Sequence, residues 1–157
     1  MNLGCCSFSF IIFMLLYFFV PRYPVVDFSS SYVKPNATAT YNVSHSYKVS
    51  NYNMYSLELS KFNFQLSNGD FEYPGIVWSN SMPLPDGEKL HVSKNSEYDL
   101  IVRYIVSDAS DISTARTQCH SASGFSSTVS GTVHMKTSNA NFDSVDFGPW
   151  DITDYCL

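Results

Sequence analysis

Between Cys5 and Val20 the chain reads CCSFSFIIFMLLYFFV, with no charge and no polar stripe. A helix drawn through that run is apolar on every face, so it cannot serve as one amphipathic wall of a small core. Counted back to Leu3 the block has 18 residues. At 1.5 Å per residue such a helix spans roughly 27 Å, close to the hydrocarbon thickness of a thin bilayer. The sequence therefore predicts a transmembrane anchor at 5–20, a short stub at 1–4 and a separate domain over 21–157. A cleaved secretory signal is the competing reading. It fits less well, because residues 1–4 carry no Lys or Arg and the run ends in Val20-Pro21-Arg22-Tyr23 without a small-residue cleavage site.

After Pro21 the chain becomes short alternating segments. Tyr41, Val43, His45, Tyr47 and Val49 alternate with Asn42, Ser44, Ser46 and Lys48, the period-two pattern of a strand with one buried face. A second strand runs from Tyr55 to Leu66. Its apolar phase flips near Ser60-Lys61, so a bulge is expected there. Asn68-Gly69-Asp70 reads as a hairpin turn. Phe71 to Trp78, interrupted by Pro74-Gly75, reads as an edge or bent strand. Residues 80–87 form a loop and Lys89 to Val92 a short strand. The strand from Tyr98 to Ser107 is apolar on both faces, which places it centrally. Asp108 to Cys119 is the one plausible helix after the anchor, with Ser110 or Asp111 as its N-cap. Strands at Val129–Lys136 and Val145–Tyr155 close the chain. Seven or so turn-separated strands predict an all-β antiparallel sandwich.

Composition excludes several classes. An aromatic content of 16% against 15% charged residues gives the domain apolar surface to bury, so disorder is not expected. The net charge is −5 and no basic tract occurs, which argues against nucleic acid and against a polybasic headgroup patch. His45, His91, His120 and His134 show no H-x-H or H-E-x-x-H spacing, so no metal site is expected. Cys119-His120 are adjacent, and neighbouring residues of a strand point to opposite faces, which separates a nucleophile from its base. Asp143, Asp146, Asp151 and Asp154 lack EF-hand spacing and read as a solvated face. There is no G-x-S-x-G and no Gly-rich phosphate loop. No catalytic residue and no cofactor are expected.

The four cysteines fall into two pairs. Cys5 and Cys6 sit at the membrane boundary, either as small apolar residues or as S-palmitoylation sites. Cys119 and Cys156 are the thiols of the β domain, and a disulfide between them would tether the last strand. The alternative is two unrelated buried thiols, which a cytosolic domain would keep reduced. Orientation is not set by charge: Arg22 and Lys34 follow the run, and counted literally they keep the domain in the cytosol. The sequons Asn36-Ala37-Thr38 and Asn42-Val43-Ser44 point the other way. Two is the number that 11 Asn and 33 Ser and Thr residues would produce by chance, but Asn42 lies on the polar face of its strand, where a glycan fits.

The layout resembles a known group. An apolar anchor runs into FFVPRYPVVDF (Phe18 to Phe28), and a β segment reads YKVSNYNMYSLELSKFNFQL (Tyr47 to Leu66). This is similar to the late embryogenesis abundant domain of the second subgroup, found in single-span proteins of fungi and plants, and to the transmembrane protein 106 family of animals. The shared features are the Pro-Arg junction, the Asn-x-Asn-x-Tyr turn (Asn51, Asn53, Tyr55) and a Cys pair placed like Cys119 and Cys156. The chain departs from that pattern in having almost no region before the anchor. The resemblance implies an immunoglobulin- or fibronectin-III-like sandwich on the lumenal or extracellular side of a membrane, vacuolar, endomembrane or plasma. It implies a non-enzymatic module binding lipid or an apolar partner beside the bilayer. A secreted or cell-surface glycoprotein with an adhesion or scaffold role is the alternative.

Overall fold

The computed structural model describes residues 3–35, 40–69, 71–138 and 141–154. Helix α1 spans Leu3–Phe19. Val20 still donates its N–H to the Leu16 carbonyl at 3.1 Å. Pro21 then ends the helix, because it has no N–H and disfavours helical geometry in the residue before it. From Phe10 to Phe18 every apolar side chain is 39–64% exposed. The anchor expected at 5–20 is thus an apolar helix, but it stops at Phe19 after 17 residues. Among the described residues, no helix is long and apolar enough to cross a membrane.

Among the described residues nine strands follow: β1 Val25–Pro35, β2 Tyr41–Asn51, β3 Leu57–Ser67, β4 Glu72–Ser79, β5 Met82–Pro83, β6 Leu90–Val92, β7 Ser96–Val106, β8 Phe125–Lys136 and β9 Asn141–Asp154. All pairings are antiparallel. The hydrogen-bonded order is β1-β2-β7-β4-β3-β8-β9, with β5 on β4 and β6 on β3. The all-β antiparallel class is as expected. The strands form one continuous sheet rather than two separate ones, and β1 and β9 approach each other so that it nearly closes. Register shifts between Ser60 and Asn63 of β3, and between Val129 and Gly131 and Val133 and Met135 of β8, add local twist that lets so long a sheet curl.

The predicted bulge is present, with Lys61 at φ +50°. The strand read as edge or bent is β4, and it lies inside the sheet. Pro74 pairs with Gln65 of β3 before pairing with β7 begins at Gly75, so its missing N–H leaves no gap on the β7 side. β7 is central as expected, between β2 and β4. β1 was not anticipated. Val26 and Phe28 share one parity and buried Val33 has the other, because the register slips between Phe28 and Ser30.

Phe64, 2% exposed, stacks on Tyr47 at 5.8 Å and meets Phe147 edge-on at 5.2 Å. Two glycines make room for it. A Cβ at Gly131 would collide with Phe64 Cδ1, and one at Gly75 would sit 2.7 Å from Phe64 Cβ. These close approaches fix an aromatic centre to which Trp150 also stacks, 5.2 Å from Tyr47. Helix α2, Ala109–Cys119, covers β8 with buried Ala115 and Cys119. Its N-cap is Asp108, not Ser110 or Asp111: Asp108 Oδ1 accepts from the Ser110 N–H at 2.9 Å and from its hydroxyl at 2.6 Å. The Ser110 bonds hold the Asp108 carboxyl below its usual range.

Candidate functional site

The Pro-Arg junction and the Asn-x-Asn-x-Tyr turn, separate in sequence, meet in space. The Asn51 amide lies within donating distance of three carbonyls, Tyr55 at 2.8 Å, Ser93 at 3.0 Å and Val92 at 3.2 Å. Asn51 Oδ1 accepts from the backbone N–H and from the side-chain amide of Asn53, both at 3.1 Å. Asn53 in turn grips Arg22 on both sides. It accepts the Arg22 N–H at 2.6 Å and donates to the Arg22 carbonyl at 2.9 Å. The Arg22 guanidinium reaches back to the Tyr17 carbonyl at 3.2 Å and lies 4.2 Å from the Tyr17 ring centroid. A cation at a helix C-terminus satisfies orphan carbonyls and complements the dipole. The segment after α1 is therefore clamped, and the clamp runs through two buried asparagines.

Asn51→Ala leaves three carbonyls without that donor. We expect a loss of about 2–3 kcal/mol, the scale of buried polar groups left unpaired, read as a shift in denaturant midpoint. A change indistinguishable from a surface substitution would contradict the clamp.

A cleft of about 560 Å³ opens on the flank, where β4 leaves β3 beyond Gly75 and the 84–89 loop crosses over. Phe62, Ile76 and Leu84 line it beside Lys61, Lys89 and Lys136 and the acids Glu58, Asp86 and Glu88. Lys89 bonds Glu58 at 2.8 Å and lowers the Glu58 pKa. The mixture suits an amphipathic ligand with both apolar and charged parts.

The interior holds a polar chain that sequence reasoning missed. His45, wholly buried, lies 3.4 Å from the Asp154 carboxylate through Nε2 and 3.5 Å from the Tyr47 hydroxyl through Nδ1. If Nε2–H donates to Asp154, Nδ1 accepts from Tyr47. The sequence places Asp154 on a solvated face. It is instead 5% exposed, whereas Asp146 and Asp151 are exposed. The available signal was parity: His45 shares the face of Tyr41, Val43, Tyr47 and Val49, and a buried imidazole calls for a partner. The chain is sealed from solvent, so no substrate reaches it as it stands.

The other expected positions do not converge. Asn42 is half-buried on the outer face of β2, paired with Lys34 of β1 and Ile105 of β7. Asn36 and Cys156 lie outside the described residues, as do the side chains of Cys5 and Cys6. Cys119 is buried at the end of α2 and is disulfide-bonded. Among the described residues, no group of three or more His, Cys, Asp or Glu could hold a metal ion.

No protein-family model and no curated protein matches the chain. Solved structures do. A Bordetella pertussis protein assigned provisionally as ApaA superposes with a TM-score of 0.52 at 10% identity, over 85% of this chain and 97% of its own. A structural-genomics target designated SoR45 gives 0.55 at 11% identity, over 86% and 89%. At such identity the likeness is one of fold alone.

Proposed function

We propose that the protein is a membrane-anchored, non-enzymatic binding module of the late embryogenesis abundant subgroup-two type. In this reading α1 lies in the bilayer and the β domain stands on the lumenal or extracellular side. The observation that carries it is α1 itself: uncharged, apolar in sequence on every face, exposed from Phe10 to Phe18, and locked at its end to the domain by Arg22, Asn53 and Asn51. At 1.5 Å per residue its 17 residues rise about 25 Å, and what places α1 in the bilayer in this reading is its uncharged, apolar surface rather than a full spanning length. The flank cleft beside Phe62 and Ile76 is the place for a lipid or an apolar partner. Lipid analysis of the intact purified protein, with Ile76→Glu as comparison, tests that part; an empty parent protein counts against it.

Cys119 fits the oxidising side, and Cys156 is its proposed partner. Closing that 37-residue separation is worth about 3–4 kcal/mol in the chain-entropy model. Reduction of the intact protein should lower its unfolding free energy by that amount, and Cys119→Ala should show no further loss on reduction. An endoglycosidase shift combined with a non-reducing gel tests the side of the membrane. Bare Asn36 and Asn42 together with freely reactive domain thiols would overturn the lumenal placement.

A second reading, surface adhesion, has its own support. On the outer face the Arg103 guanidinium lies 3.7 Å over the Trp78 ring, flanked by Ile76, Ile101 and Ile105, each 38–39% exposed. Such a row suits a protein partner. Proximity labelling separates the two: plasma-membrane neighbours favour adhesion and vacuolar ones favour the anchored binding module.

A further inference from the structure

We infer that the 51–55 turn, the last turn of α1 and Arg22 form a seat that docks the β domain on the headgroup layer of a phospholipid bilayer. This rests on the membrane-embedded reading of α1 and goes beyond it: anchoring alone would let the domain swing, whereas the seat fixes it against the membrane surface.

Three features converge. First, the exposed apolar surface is continuous with the helix. Tyr17, Phe18 and Val20 share a crevice of about 170 Å³ with Tyr52, Met54 and Arg22. Tyr52 is 53% and Met54 44% exposed, while their neighbours Asn51 and Asn53 are buried, so the turn hides its polar residues and presents its amphipathic ones. Tyrosine with its polar tip is suited to the boundary between hydrocarbon and water. Second, Arg22, the only cation lining this crevice among the described residues, sits where the helix ends, at headgroup depth. Its guanidinium makes one bond to the Tyr17 carbonyl and stacks on the Tyr17 ring, which leaves further N–H donors for a lipid phosphate. Third, the clamp removes the alternative of a loose tether. Arg22 is held through both N–H and C=O by Asn53, so the turn cannot rotate away from the helix without breaking two buried-residue bonds. With α1 in the membrane, the turn is carried to the interface.

The experiment is tryptophan quenching in the intact chain reconstituted into phosphatidylcholine vesicles, with lipids brominated near the headgroup end of their acyl chains. Trp78 and Trp150, both in the β domain, give the background of the parent protein. Two variants are read against it: Phe13→Trp within α1, and Tyr52→Trp at the turn. We expect loss of the added fluorescence in both. We also expect Asn53→Ala, placed in the Tyr52→Trp chain, to restore emission at the turn while Phe13→Trp stays quenched. Quenching of Phe13→Trp with none of Tyr52→Trp overturns the seat and leaves the embedded helix standing. Absence of quenching in both overturns the embedded helix and the seat together. Quenching at the turn that Asn53→Ala does not relieve overturns the clamp as the device that sets it.

Discussion

Phe64→Ala is expected to destabilise the β domain by about 3–5 kcal/mol, the range for emptying a large aromatic site in a packed core. That is a large part of the roughly 5–15 kcal/mol that holds a typical domain together. The size follows from position. Phe64 bridges Tyr47 and Phe147, and Gly75 and Gly131 have no side chains with which to refill the space. Denaturant unfolding of the parent and variant in the same mild detergent measures the difference. A loss under about 1 kcal/mol, the scale of an ordinary surface substitution, would mean that the sheet does not close around this ring.

Alkaline unfolding should be steep and should begin above pH 10. Burial pushes the Tyr41 hydroxyl up to about 12, with the Asp154 charge adding to it. Burial raises Tyr47 and Tyr104 as well. The folded state therefore holds these protons more tightly than the unfolded state, whose phenols titrate near 10. Their contribution is intact below pH 10 and is lost as pH climbs; the Tyr41 share disappears between about 10 and 12. Each phenol adds a slope of about 1.4 kcal/mol per pH unit while only the unfolded state ionises, so three make about 4. The phenolate absorbance should contain a late phase coincident with loss of β-sheet circular dichroism, and Tyr104→Phe should flatten the stability slope. Ionisation of all three with the sheet intact would contradict their burial.

Period-two alternation made much of this fold legible. β2, β7 and β8 follow their apolar phase, and the phase flip at Ser60-Lys61 located a real bulge. Where two irregularities coincided, the reading failed. β1 mixes polar residues with a register slip, so neither parity accumulates. Sheet closure was not legible because alternation states which face is buried, not which strand lies beside which. The N-cap fell two or three residues early of the sequence estimate, since Asp108, Ser110 and Asp111 all carry capping chemistry and only backbone geometry chooses among them. The clamp was half visible. Asn51, Asn53 and Arg22 each stood out, but their contact joins residues 31 positions apart. The His45–Asp154 pair, 109 positions apart, offered only a parity hint.

In the proposed function α1 is buried in lipid while the β domain stays outside it. Alkaline carbonate extraction of the intact protein from cellular membranes, followed by flotation, reads this most directly. The full chain should float with the lipid, and a chain carrying Phe13→Asp and Leu16→Lys, folded by its β-sheet spectrum, should stay in the soluble fraction. A parent protein released by carbonate as readily as the double variant would contradict the membrane-embedded helix.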